Sequence, residues 1–211
     1  MSARLPDFDR IARPYRWLEY LTMGPLLERT RNHHLARLEG CSQALILGDG
    51  DGRFTARLLA SCPQLRAEAV DLSGAMLALL RQRCVPEAAR LETHQTDARS
   101  YTPRTQPDLV VTHFFLDCLT QAEVEALVTQ LSPLLAPDAL WLVSDFRIPD
   151  GPLHWPARIY VRLLYLAFWL LTGLRTAHLP DHASPLRRCG FTLVAEHRSL
   201  LGILTSQLWQ R

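Results

Sequence analysis

Apolar residues recur at helical spacing from Phe8 to Leu38, through Ile11, Tyr15, Leu18, Leu21, Leu26, Leu27, Leu35 and Leu38. Pro14 and the Met23-Gly24-Pro25 break divide this stretch into short helices, and Gly40 is a C-terminal stop. The period then changes. Ala44 to Leu47 is a short continuous apolar run ending in glycines, as a buried parallel strand should be. A helix over Phe54 to Ser61 follows, then a strand over Ala67 to Asp71 and a helix capped by Ser73 that runs to about Arg83. Strands over Leu91–Gln95, Leu109–His113 and Leu140–Phe146 complete the series, with a helix over Gln121–Leu135 before the last.

Strand and helix alternating at this rhythm predict an α/β domain with a doubly wound, mostly parallel sheet and helices on both faces. The end of the chain departs from it. Trp155 to Leu174 reads as a long apolar helix, and a polar loop extends to Arg188. The strands Phe191–Arg198 and Ile203–Trp209 are joined too closely for anything but a hairpin. The sheet therefore has seven strands and an antiparallel last strand. In domain terms, residues 1–40 form an N-terminal helical extension and residues 41–211 the α/β domain, with a helical insertion at about 150–188.

Composition narrows the chemistry. The 211 residues carry 23 basic and 21 acidic side chains, a net charge of +2, with no basic run to track a phosphate backbone, so no nucleic-acid partner is expected. Every basic residue other than histidine is arginine. The lack of lysine excludes Schiff-base chemistry and a Walker-type phosphate loop. Cys41, Cys62, Cys84, Cys118 and Cys189 are scattered and never in CxxC spacing, which points to reduced thiols and a cytoplasmic protein. Met1 to Arg10 has no apolar signal-peptide core.

The segment Gly48-Asp49-Gly50-Asp51-Gly52 lies between a strand and a helix. Glycines there let a ligand lie against bare backbone, with the helix N-terminus supplying amide donors. Asp71 ends the next strand, where a carboxylate accepts the hydroxyls of a ribose, and Asp97 follows the third strand. Arg53 stands where the NAD fingerprint wants glycine, so the loop fits a dinucleotide less well.

On these residues, and on Phe8-Asp-Arg-Ile-Ala-Arg-Pro-Tyr15 and Asp71-Leu-Ser-Gly-Ala-Met76, the chain resembles the class I S-adenosylmethionine-dependent methyltransferases, small-molecule and quinone-type members in particular. The resemblance implies a seven-stranded sheet with its last strand antiparallel, S-adenosylmethionine as cofactor and S-adenosylhomocysteine as product. It implies that Gly48, Asp49, Gly50 and Gly52 hold the methionine part, that Asp71 with Leu72 holds the ribose, and that Asp97 with Ala98 holds the adenine amino group. Met76 matches a residue that packs on adenine; the resemblance also makes residues 1–40 a helical lid on a Rossmann-like domain, 41–211, and implies that Tyr15 reaches the cofactor from that lid. In one respect the chain departs from the family. The acid usually found two residues before the first glycine is Ile46, and Asp49 or Asp51 would have to compensate. A non-catalytic binder of the same cofactor, or another reaction using it, is the alternative reading.

A sulfonium methyl is already activated, so transfer is an in-line displacement that depends mainly on alignment. A base is needed only where the acceptor must lose a proton. Beyond the carboxyl ends of the strands lie His113, a candidate base, and Asp117, Asp145 and Arg147, candidate substrate-binding residues; Tyr160 of the apolar helix joins them. Asp145 and Arg147 are also placed to pair with each other. The helix Trp155–Leu174 is too short in its apolar run to span a membrane, which needs about 20 such residues. It covers an acceptor pocket, lies peripherally on a membrane, or forms a dimer surface; the oligomeric state is not legible. Its aromatic residues imply a small lipophilic or aromatic acceptor. The histidine pairs His33-His34 and His178/His182 do not make a metal site.

Overall fold

The computed structural model describes residues 23–172 and 178–211. The helices expected between Phe8 and Leu21, with Tyr15 among them, and the end of the apolar helix at Leu174 lie outside the described residues.

One sheet organises the chain. Its strands are β1 (Gln43–Leu47), β2 (Arg66–Asp71), β3 (Leu91–Gln95), β4 (Leu109–His113), β5 (Leu140–Phe146), β6 (Thr192–Ser199) and β7 (Leu204–Gln210), in the spatial order β3-β2-β1-β4-β5-β7-β6. The first five pair in parallel, and β7 runs antiparallel to both β5 and β6. The order reverses between β1 and β4, the point at which open α/β sheets bind ligands beyond their carboxyl ends.

The helices are α1 (Leu26–Asn32), α2 (Arg53–Ser61), α3 (Gly74–Arg83), α4 (Gln121–Leu131), α5 (His154–Thr172) and α6 (Ala183–Arg188). Strand alternation sends successive side chains to opposite faces, and each face has its own core. Ile46, Ala69, Val111 and Leu142 meet Phe54, Leu58 and Leu59 of α2 and Leu80 of α3. Leu47, Val110, Trp141 and Val143 meet Val124, Leu127, Val128 and Leu131 of α4 and Leu186 of α6. Ile46, standing in place of an acid, is thus a fully buried member of the first core.

Two elements differ from the sequence reading. Helix α4 ends at Leu131 rather than Leu135, and a 3-10 turn over Ser132–Leu134 replaces its last turn. Pro133 is the cause, since it lacks the N–H a further turn would use and its ring crowds the carbonyl four residues before it. The loop expected up to Arg188 contains α6, whose first amides, Ala183 N and Ser184 N, donate to the Asp181 carboxylate at 2.9 and 3.2 Å. Asp181 is therefore a helix cap. Ser73 caps α3 as expected, accepting from the Met76 amide.

Candidate active site

The glycine loop is set by backbone geometry. Gly48, Gly50 and Gly52 have φ of 67°, 63° and 77°, all in the left-handed region that side chains other than glycine rarely adopt. Two of them are also sterically fixed. A Cβ on Gly52 would lie 2.7 Å from the Leu80 backbone, so only glycine lets α2 start against α3. A Cβ on Gly48 would lie 2.5 Å from the Phe115 ring, which covers the loop.

The two aspartates of the loop separate by partner. Asp51 is buried and accepts from Arg53 Nε and Arg83 Nη2, both at 2.9 Å, tying α2 to α3. It is structural. Asp49 accepts from the Thr55 amide at 3.0 Å and the Thr55 hydroxyl at 2.7 Å, which orients its carboxylate at the start of α2. Burial pushes that carboxyl up to about 6, against the pull of Thr55 and of the Arg31 guanidinium. Arg31, in α1, is itself buried and lies over the Phe114 ring at 5.1 Å. Asp49 thus stands inside the glycine loop, with the Arg31 guanidinium near enough to act on its charge.

Asp71 ends β2 next to this loop, as the Gly48 amide bonding to Val70 O at 3.0 Å shows. One of its oxygens accepts the Ser73 amide at 2.8 Å, which fixes the carboxylate. Leu72 is half-buried beside it, and Met76 is buried. Asp97 caps the short turn Ala98–Ser100 and is ion-paired with Arg99, with Nη2 to Oδ2 at 2.5 Å. The Arg99 hydrogen bonds hold its carboxyl below the usual range. Ala98 is buried beneath it.

His113 and the acids at the strand ends go to different faces. His113 shares parity with Val111 and packs edge-on against Phe54, ring centroids 4.3 Å apart. It is buried, and neither ring nitrogen finds a hydrogen-bond partner among the described residues. Burial, with Arg31 nearby, holds it neutral and well below its ordinary value. Asp145 shares parity with Val143 on the opposite face, where Asp117 meets it. Both carboxyls are buried. Desolvation raises Asp117 to about 6, and desolvation plus Asp117 raises Asp145 well above the carboxylate range. Two such neighbours share a proton rather than both ionising. Tyr165 of α5 donates to the Asp117 carbonyl at 3.2 Å and roofs the pair. The Cys118 thiol donates to Asp117 Oδ1 at 3.5 Å. Burial, then Asp117, Asp145 and Asp71, raise that thiol, which places the acid pair and Asp71 around one side chain.

Arg147 does not pair with Asp145 as expected. Its guanidinium reaches Asp150 at 2.9 Å, because Asp145 points into the core side of the sheet while Arg147 follows the strand's exit. Beside it opens an apolar cleft of ≈ 350 Å³ lined by Met23, Leu26, Tyr160, Leu200 and Ile203. Phe114, Phe146 and Leu164 pack against the same cluster, and Phe114 holds a left-handed φ of 51°, a strained conformation for an aromatic residue. Of these residues only Tyr160 is legible as a site residue in the sequence. The others come from a helix and a hairpin that no local pattern brings together.

Against known proteins, residues 44–138 match the family described as "Methyltransferase domain". The fold matches that of the mitomycin 7-O-methyltransferase MmcR at a TM-score of 0.71 and 20% identity, covering 97% of this chain and 60% of that one. It matches the N-methyltransferase NodS from Bradyrhizobium japonicum WM9, in complex with S-adenosyl-L-homocysteine, at a TM-score of 0.62 and 17% identity, covering 88% and 87%. It also matches the pyocyanin biosynthetic protein PhzM at 0.69 and 18%, covering 97% and 62%. The family match covers a little under half of the chain, and the likeness to these structures, at 20% identity or less, shows that the fold is shared. It spans about three fifths of the length of MmcR and PhzM. No curated protein sequence matches it. The matched methyltransferase segment runs from β1 to just before β5, so it contains the glycine loop, Asp71, Asp97 and Asp117. Asp145 and the apolar cleft fall outside it.

Proposed function

We propose that the chain binds S-adenosylmethionine at the glycine loop and transfers its methyl group to a small lipophilic or aromatic acceptor, leaving S-adenosylhomocysteine. The observation that carries this is the turn of three left-handed glycines with the Asp49 carboxylate oriented inside it by Thr55, one strand away from Asp71. A dinucleotide has no amino-acid ammonium for Asp49 to hold. The donor set fits the cofactor: Arg31 holds its carboxylate, Asp49 its ammonium and Asp71 its ribose. Asp97, oriented by Arg99, holds the adenine amino group between Leu72, Met76 and Ala98. Tyr15 adds a contact from a lid formed by residues 1–40, on the strength of the resemblance alone. When bound, S-adenosylmethionine supplies an activated methyl on a sulfonium.

The acceptor is assigned to the apolar cleft, with Tyr160 on its wall and Arg147 at its rim. Names of proteins with this fold support a small-molecule acceptor, since one methylates mitomycin at a 7-oxygen. The shared-proton pair Asp117/Asp145 is better placed than His113 to take a proton from a hydroxyl or amine acceptor, because it lies on the face that α5 roofs. Transfer then depends on alignment and exclusion of water, to which Phe114 and Tyr165 contribute. Among the described residues no helix is long and apolar enough to cross a membrane, so contact with a bilayer would be peripheral, through α5. With its thiols unpaired, the chain is assigned to the cytoplasm.

Calorimetric titration with S-adenosylmethionine, S-adenosylhomocysteine and NAD tests the cofactor. Micromolar binding of the first two and none of NAD is expected. The folded Asp71→Asn variant should bind about 10- to 100-fold more weakly, the worth of hydrogen bonds to a charged group. Absence of binding by the unmodified chain would overturn the reading.

A further inference from the structure

Helix α5 is apolar on two faces rather than one. Its inner face, Ala157 and Val161 with half-buried Tyr160, Leu164 and Tyr165, packs on the domain. Its outer face carries Trp155, Ile159, Leu163 and Leu166 at i, i+4, i+8 and i+11, each more than half exposed. Across the cleft, the β6–β7 connection holds Leu200 and Leu201 at φ of 49° and 54°. Left-handed turn positions ordinarily take glycine or asparagine. Here the turn tucks Leu200 into the cleft and leaves Leu201 74% exposed at the tip.

Charge decides what such a surface meets. No acidic residue occurs anywhere in α5, whereas Arg162 is exposed beside the stripe and the Arg158 guanidinium lies 5.7 Å from the Trp155 ring. A second copy docked about a two-fold axis would bring Arg158 and Arg162 towards their own counterparts with no carboxylate on the helix to pair them. A bilayer rich in anionic headgroups satisfies both halves of the pattern: tryptophan and leucine enter the acyl boundary while the arginines stay at the phosphates.

We propose that the outer face of α5, with Leu201, docks the protein on an anionic lipid surface, so that the cleft between helix and hairpin opens towards the lipid. The docking stands on this surface alone. Delivery of a lipophilic acceptor from the bilayer into the cleft rests on the methyl-transfer reading.

Flotation of the full chain with phosphatidylcholine vesicles, with and without a third of phosphatidylglycerol, tests it. Binding to the anionic vesicles is expected. It should fall at least tenfold in Ile159→Gln/Leu163→Gln, and roughly fivefold for each arginine removed in Arg158→Gln and Arg162→Gln. Circular dichroism and S-adenosylmethionine titration of the same variants check that they fold and keep the other site. No flotation, or flotation unchanged in the variants, overturns the proposal. So does a dimer in sedimentation that Leu163→Gln dissociates while vesicles stay unbound. Vesicle binding by a chain that does not bind S-adenosylmethionine would keep the docking and remove the acceptor route.

Discussion

Asp49 and Asp51 sit two residues apart and differ in role because their oxygens meet different donors. Asp51 faces two arginines and closes the fold, whereas Asp49 accepts from Thr55 and lies within the reach of Arg31. With its carboxyl raised to about 6 by burial, Asp49 would give the proposed cofactor binding a pH dependence. An ammonium binds the ionised form, so binding draws the carboxyl down and releases its proton. Affinity for S-adenosylmethionine should be flat above about pH 7 and fall towards tenfold per pH unit below about 6. Titrations from about pH 5 to 8 check this, and Asp49→Asn should bind more weakly with no such slope. Gly52→Ala should lower stability to urea by about 2–4 kcal/mol, combining left-handed strain with overlap on the Leu80 backbone. These loop residues were legible in the sequence because a backbone-lined turn tolerates few alternatives. Which way His113 faces was written in its parity with Val111, but parity names a face only once the helices on each side are known. The Asp117/Asp145 pair needs two strand ends to meet, and Arg31 needs α1 to dock; neither is a local property.

Helix α1 reaches the sheet through histidines. The His33 ring stacks on His197 of β6, centroids 3.6 Å apart and 9° from parallel, and meets His34 edge-on at 4.8 Å. His34 itself bonds to Ser206 O at 3.1 Å, and Thr30 bonds to Ser199 at 2.9 Å. Burial, then His197, His34 and Arg37, lower His33; burial also leads the lowering of His34. A histidine lowered in the folded state contributes stability above its unfolded value of about 6.5, and that stability is lost as pH falls through the folded value. Urea midpoints should therefore drop below about pH 6.5, and His197→Asn should flatten that drop. Hydrogen exchange in α1 should quicken with it. Sequence alone made His33-His34 an unremarkable pair, since a third imidazole arrives from 164 residues away in sequence. Elements whose signals are local were legible: β1 to β5 from continuous apolar runs, α3 from Ser73. The end of α4 at Pro133 was equally local but outweighed by the apolar residues after it, and α6 hides its cap in a polar segment.

Across the molecule, the proposed cofactor groups come from separate elements: α1 gives Arg31, the β1–α2 turn gives Asp49, β2 gives Asp71 and the turn after β3 gives Asp97. A ligand bound by all four links α1 to the carboxyl edge of the sheet, so its free energy should appear in global stability. At about 100 times its dissociation constant, S-adenosylmethionine should add about 2.7 kcal/mol. For a chain of this size that corresponds to a rise in Tm of roughly 5–11 °C. NAD at the same concentration should produce no rise. Asp71→Asn should lose most of it at that fixed concentration and recover it at higher ligand, whereas Asp51→Asn should lower Tm with and without ligand by a similar amount. The second variant breaks the α2–α3 clamp without removing a proposed cofactor group, so the pair separates ligand linkage from plain destabilisation. If Asp51→Asn instead abolished the ligand-dependent rise while the apo protein stayed as stable, the carboxylate proposed for the cofactor's ammonium would be Asp51 and not Asp49.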